Sequence, residues 1–189
     1  MKSFKLPIVV LLLICFVQGV AQEKNRSEQI KRIKENFNQI NSVTQWDSIV
    51  RLPFFESTEG GEAAYFYKNA QLKKIITHQF GETFKSITEY YLDNDNLSFI
   101  YEKFFRYNRP ITWDSTAMKE NNDNQVWDIK KSVIKEKRNY FYNNLLLKQI
   151  ITTPDETRTQ LSGLTEEETK QLQAFHAMIL LKDNPNTGN

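Results

Sequence analysis

The chain has one cysteine, Cys15, and two histidines, His78 and His176. A single thiol forms no disulfide within the chain. Two histidines without an HxH, HxxxH or HExxH companion offer no metal-ligand pattern. GxSxG, GxGxxG, P-loop and EF-hand motifs are all missing, which removes the sequence signs of serine hydrolases, nucleotide enzymes and calcium sensors. The expectation is therefore no catalytic residues, no metal and no cofactor. Glycine is also scarce, at 6 of 189 residues, so left-handed turn positions must fall to other residues, asparagine first.

Neither charge dominates, with 25 Lys and Arg against 23 Asp and Glu. Lys2 and Lys5 flank the start of an apolar run over residues 6–17, and Gly19-Val20-Ala21 follows. This is the three-part pattern of a cleavable signal peptide over residues 1–21, with cleavage after Ala21. The run is shorter than the roughly 20 residues that a bilayer requires, so no integral membrane span is expected after cleavage. Ile14 precedes Cys15 where lipoprotein processing wants a small residue, which argues against acylation. Cleavage would remove the only thiol together with Lys2 and Lys5, leaving 23 residues of each sign. Such a balance gives no electrostatic case for nucleic acid. The expected location is periplasmic or extracellular, with residues 22–189 forming a single domain.

Ile30, Ile33, Phe37 and Ile40 recur at helical spacing and predict an amphipathic helix over 27–41. A second helix is predicted over 165–182, with Thr165 and Glu168 as a capping box and Leu172, Phe175, Met178 and Ile179 as its buried stripe. Between them the period is two, and β-branched and aromatic residues are dense. Six strands are expected, at 62–68, 71–80, 84–93, 96–108, 126–143 and 145–153, joined by tight turns into an antiparallel meander. The fold class is thus α+β, with residues 42–53, including Trp46, Ile49, Val50 and Leu52, as a packed connector.

A motif recurs inside this meander. "YFYKNAQLKKI" starts at Tyr65, "YYLDNDNLSFI" at Tyr90 and "YFYNNLLLKQI" at Tyr140. Asn69, Asn94 and Asn144 lie at matching positions, where a two-residue hairpin turn needs positive φ. A left-handed Leu145 is costly, which shifts the third turn toward Asn143-Asn144. The second interval is twice the first, as if one unit had been overwritten by residues 106–128. Residues 108–125 form the longest irregular piece, to be read as a lid or a disordered loop.

Candidate site residues come from two groups. Tyr65, Tyr67, Tyr90 and Tyr142 would line the sheet face opposite the helices or else belong to the core. Arg106, Arg109 and Trp113, in "YEKFFRYNRPITW", combine directed donors with aromatic area. Glu56, Glu59 and Glu62 beside Gly60-Gly61, and Glu82, Glu89 and Glu102 in or near strands, are the carboxylates a glycosidase would draw on, but no spacing pairs them. The alternating stretch "KKSVIKEKR" over 130–138 reads as a solvated strand face protected by its lysines.

With these features laid out, the chain resembles a group of uncharacterised secreted proteins of Gram-negative bacteria with repeated YY-x-x-N-x-x-L-x-x-I β-hairpins. The resemblance rests on Ile33 to Asn41, Glu59 to Ile75, Gly81 to Asn108 and Arg138 to Ile150, which are strand-and-turn signatures. It implies a fold and a location, and no activity. The function expected from the whole is a non-catalytic binding or interaction module, whose partner is another envelope protein or a small ligand. Rival readings are an envelope hydrolase whose carboxylates meet only in the fold, and an inhibitor or chaperone that engages a secreted protein through a strand edge or the 108–125 loop.

Overall fold

The computed structural model describes residues 6–53, 57 and 59–184, with side chains from Glu23 onward. A long helix, α1 (Leu6–Asn41), leads into one antiparallel sheet. Its strands are β1 (Ser48–Pro53), β2 (Gly61–Lys68), β3 (Gln71–Gly81), β4 (Phe84–Asp93), β5 (Asn96–Arg106), β6 (Val133–Tyr142), β7 (Leu145–Thr152) and β8 (Thr157–Gln160). A short helix, α2 (Ser115–Glu120), lies in the β5–β6 connection, and α3 (Thr165–Asp183) closes the described chain. Strands are ordered in space as in sequence, so the α+β meander holds, with eight strands rather than six.

The two extra strands are the sheet edges, which explains why the period-two signal misses them. β1 was expected to be a connector, but it pairs with β2 from Ser48 to Pro53 while Ile49 and Val50 stay exposed. β8 is Thr-Arg-Thr-Gln, with no apolar residue to alternate. The expected strand from 126 begins only at Val133, because Ile129–Lys131 forms a 3-10 turn that the Asp128 side chain caps. The Thr165–Glu168 capping box is also corrected. Leu164 stands at the helix N-cap without a side-chain bond, and Glu168 Oε2 instead accepts the backbone N–H of Leu146 at 2.6 Å.

The three asparagine turns form as their chemistry predicts. Backbone φ is positive at both central residues of each: Asn69 (52°) and Ala70 (58°), Asn94 (47°) and Asp95 (64°), Asn143 (49°) and Asn144 (62°). The third turn is therefore the shifted one. Three residues past each turn comes a bulge that leaves Lys73, Ser98 or Leu147 without an opposite residue. Aligned by turn and bulge, the third unit begins at Asn139, and the second interval is one residue short of twice the first.

Each face of the sheet carries a helix. On the α3 face Tyr65, Ile75, Tyr90, Ile100, Phe141 and Leu146 pack with Leu164, Phe175 and Met178. The Tyr65 hydroxyl donates to the Met178 carbonyl at 2.8 Å, and Tyr90 meets Phe175 at 6.0 Å between ring centres. On the other face Tyr91, Phe99 and Tyr140 pack with Ile33, Phe37 and Ile40 of α1, and the Phe37 ring lies 4.8 Å from that of Tyr91. Because each face carries a helix, the second of the two expectations for Tyr65 and Tyr90, the core rather than an open sheet face, applies. Both tyrosines are core.

The β5–β6 connection is folded rather than disordered. Arg109 pairs with Asp123 through two hydrogen bonds, one of 2.7 Å between Nη2 and Oδ1. Asn108 binds the Val126 carbonyl at 2.9 Å and the Asp128 N–H at 3.0 Å. Asp114 caps α2 by accepting from the backbone of Thr116 and Ala117. Ile111 N–H also donates to the Glu82 carbonyl at 2.9 Å, tying the loop to the β3–β4 turn.

Two stability changes follow. Ala70→Gly should raise unfolding free energy by about 1 kcal/mol, because it relieves the left-handed penalty of a Cβ and creates Asn-Gly. Phe141→Ala should lower it by about 3–5 kcal/mol, since that ring is 1% exposed. Urea unfolding of both variants against the parent checks the two signs.

Candidate functional site

Residues opposite one another on neighbouring strands form rungs across the α3 face, and these rungs turn from apolar to polar with distance from the asparagine turns. One rung is Tyr65, Ile75, Tyr90, Ile100, Asn139 and Gln149. Two residues further along each strand lies Thr77, Thr88, Glu102 and Lys137, and two further still Gln79, Ser86, Phe104 and Lys135. The first rung is covered by α3. The third opens to solvent, with Phe104 36% exposed and Lys135 exposed.

The third repeat departs from the first two on the covered rung. Where they have Tyr65 with Ile75 and Tyr90 with Ile100, it has Asn139 with Gln149, which are 0% and 3% exposed. Gln149 Nε2 donates to Asn139 Oδ1 at 2.9 Å, and Asn139 Nδ2 donates to Glu102 Oε1 at 3.1 Å. From α3, Gln171 Nε2 donates to the same Glu102 Oε1 at 2.7 Å and to Glu167 Oε1 at 2.9 Å. Lys137 Nζ completes the chain with Glu167 Oε1 at 2.9 Å. Buried amides without such partners would cost about 1–3 kcal/mol each, so the network is a connected unit.

Charge inside this unit is unevenly stabilised. Burial pushes the Glu102 carboxyl above the ordinary carboxylate range, outweighing the nearby Lys137 ammonium and the Gln171 hydrogen bond. Burial opposes ionisation of Glu167 too, but its hydrogen bonds from Lys137 and Gln171 hold it below that range. Burial likewise opposes the Lys137 ammonium, yet Glu102 and Glu167 together hold it upward. The costly charge is therefore the one on Glu102. Both amide bonds fall on its Oε1, and its Oε2 takes neither.

Glu102 lies where two hollows meet. One, of about 200 Å³, passes Thr77, Thr88, Lys170 and Gln171 at the foot of α3. The other, a groove of about 640 Å³, passes Phe104, Arg106, Lys135 and Lys137 and the 153–156 turn. Thr77 is 4% exposed, and neither its hydroxyl nor that of Thr88 has a hydrogen-bond partner among the described residues. On the α1 face a crevice of about 400 Å³ runs past Phe37, Phe99, Tyr101, Arg138 and Tyr140. Its Arg138 is already engaged by Glu136 at 2.5 Å, and burial, reinforced by Glu136, pushes the Tyr101 hydroxyl up to about 12.

No family model, no curated protein and no solved structure matches the chain. What the site can do thus rests on its own geometry. A raised carboxyl next to a lowered one is the pairing of a general acid with its ionised partner. Here, however, a single amide nitrogen of Gln171 donates to both carboxylates, at 2.7 and 2.9 Å. Among the described residues no three His, Cys, Asp or Glu side chains gather as a metal ion would require.

The residues singled out by sequence scatter. Tyr65 and Tyr90 are core, and Tyr67 packs at the edge of the same cluster. Tyr142 is half-buried at the end of β6, beside the third turn. Arg109 is spent on Asp123, and the Trp113 indole N–H is buried in the β5–β6 connection without an acceptor among the described residues. Of the seven, Arg106 borders the groove beside Glu102, and Tyr90 lines the small hollow. The residues that sequence reasoning missed were Lys137, Asn139, Gln149 and Gln171. Two signals could have found them: Gln171 lies on the apolar stripe four residues before Phe175, and Asn139 and Gln149 take the Tyr and Ile positions once the third repeat is aligned by its turn.

Because the folded state holds a proton on Glu102 to higher pH than the unfolded chain does, this group's ionisation removes stability as pH rises through its folded pKa. Glu102→Gln keeps an oxygen for both amide donors and cannot ionise. Its unfolding free energy should exceed the parent's at pH 8, and the difference should shrink as pH falls to 4, as measured by urea unfolding at both.

Proposed function

We propose that the protein is an exported, non-catalytic binding module whose ligand site is the polar rung centred on Glu102. The observation that carries this reading is the Gln171 bridge: the carboxylates that converge on this face, Glu102 and Glu167, are locked to one amide donor at 2.7 and 2.9 Å. A hydrolase needs such a pair free to reach substrate and water. A binding site needs a shaped hollow with a few polar groups held in place, and the network holds Glu102 in that way.

Export is the second part of the proposal, together with membership of the resembled group of secreted hairpin proteins. The signal-like residues 1–21 support it. So does the position of the α1 anchors Ile30, Ile33, Phe37 and Ile40, which all lie beyond Ala21. Among the described residues no helix is long and apolar enough to cross a membrane.

Expression in a Gram-negative host should yield a protein in the periplasmic or medium fraction whose mass and first residue, Gln22, correspond to cleavage after Ala21. A purely cytoplasmic, uncleaved product would refute export. Incubation with p-nitrophenyl glycosides and esters should give no release above the blank. Turnover that disappears in Glu102→Gln would instead establish the hydrolase.

A further inference from the structure

We infer that the polar rung is a saccharide-binding site. This rests on the binding reading above and adds the chemical class of the ligand.

The hydroxyls that line the small hollow are the first argument. Thr77 is 4% exposed and faces the small hollow, yet its hydroxyl has no protein partner among the described residues. Thr88, half-buried and also without a protein partner among the described residues, stands directly opposite on β4, and Glu102 directly opposite Thr88 on β5. Three adjacent strands thus present a hydroxyl, a hydroxyl and a carboxylate in a row. Hydroxyls that line a hollow and are not claimed by the protein can bond a ligand that carries several hydroxyls of its own.

The balance of charge is the second. An anion would meet Glu102 in the hollow and Asp155 and Glu156 in the groove. A cation would meet Lys170 on one side and Lys135, Lys137 and Arg106 on the other. Neutral hydroxyls conflict with neither set, since they donate to the carboxylate and accept from the ammonium groups.

The third is the aromatic surface one rung below. Phe104 is 36% exposed and stacks on Phe84 at 5.5 Å with rings 17° from parallel. Gly81 sets this pair, because a Cβ there would come within 2.2 Å of the Phe84 ring. The result is a firm apolar surface beside a row of polar groups. A sugar ring has matching surfaces, hydroxyls at its edge and C–H groups on its face.

The test is titration of the ¹⁵N-labelled protein with glucose, galactose, N-acetylglucosamine, cellobiose and chitobiose, following the side-chain amide signals of Gln171 and Asn139. At least one sugar should shift these signals saturably. Thr77→Val and Phe104→Ala should each weaken that sugar's binding about tenfold or more. Thr77→Val leaves no partner unsatisfied, so its thermal unfolding should match the parent's, which separates lost contact from lost fold. If no sugar shifts the signals, or if Thr77→Val binds as the parent does, the saccharide assignment is overturned. Saturable shifts from benzoate or benzylamine alone would overturn the assignment and leave the binding reading in place. Hydrolysis of either disaccharide would overturn the binding reading itself.

Discussion

Three left-handed two-residue turns, each followed by a one-residue bulge, govern the register of the sheet. A hairpin with a turn one residue longer would move every side chain of the following strand to the other face. Because turn and bulge recur together, Tyr65, Tyr90 and Asn139 arrive at equivalent places, as do Ile75, Ile100 and Gln149. Side chains from distant parts of the chain consequently align in rungs, and the core and the proposed site are successive rungs of one ladder.

Helix α3 is placed against this ladder by apolar and polar contacts of different reach. Phe175 and Met178 bury area on the covered rung, an attraction that is strong but tolerant of small shifts. Gln171 and Glu168 are less tolerant, since one must meet Glu102 and Glu167 and the other the Leu146 N–H. The substitution of a Tyr–Ile pair by Asn139 and Gln149 in the third repeat supplies the sheet side of that polar match. The site therefore arises where the repeat is imperfect.

Much of the fold was legible because its signals are local. Helical spacing of Ile30, Ile33, Phe37 and Ile40 marks one face of α1, and the cost of a left-handed leucine was enough to shift the third turn to Asn143-Asn144. Edge strands β1 and β8 were not legible, because strands with one neighbour and exposed side chains carry no clear alternation. The tyrosine candidates stayed open between sheet face and core for a related reason: period-two spacing says that Tyr65 and Tyr67 share a face, but not which helix lies over it. Glu102 could be noted as a strand carboxylate, yet nothing in its neighbours along the chain announces Asn139 or Gln171, whose sequence separations from it are 37 and 69.

By itself, then, the sequence determined the hairpins, the turn residues, the stripes of the two helices and the signal-like start, since each depends on residues within a few positions of one another. The tertiary structure alone decided that both faces are covered, that the carboxylates of Glu102 and Glu167 share one amide, and that Thr77, Thr88 and Glu102 stand in a row. These depend on the lateral stacking of strands and the docking of α3, which join residues through space at distances along the chain that no local pattern encodes.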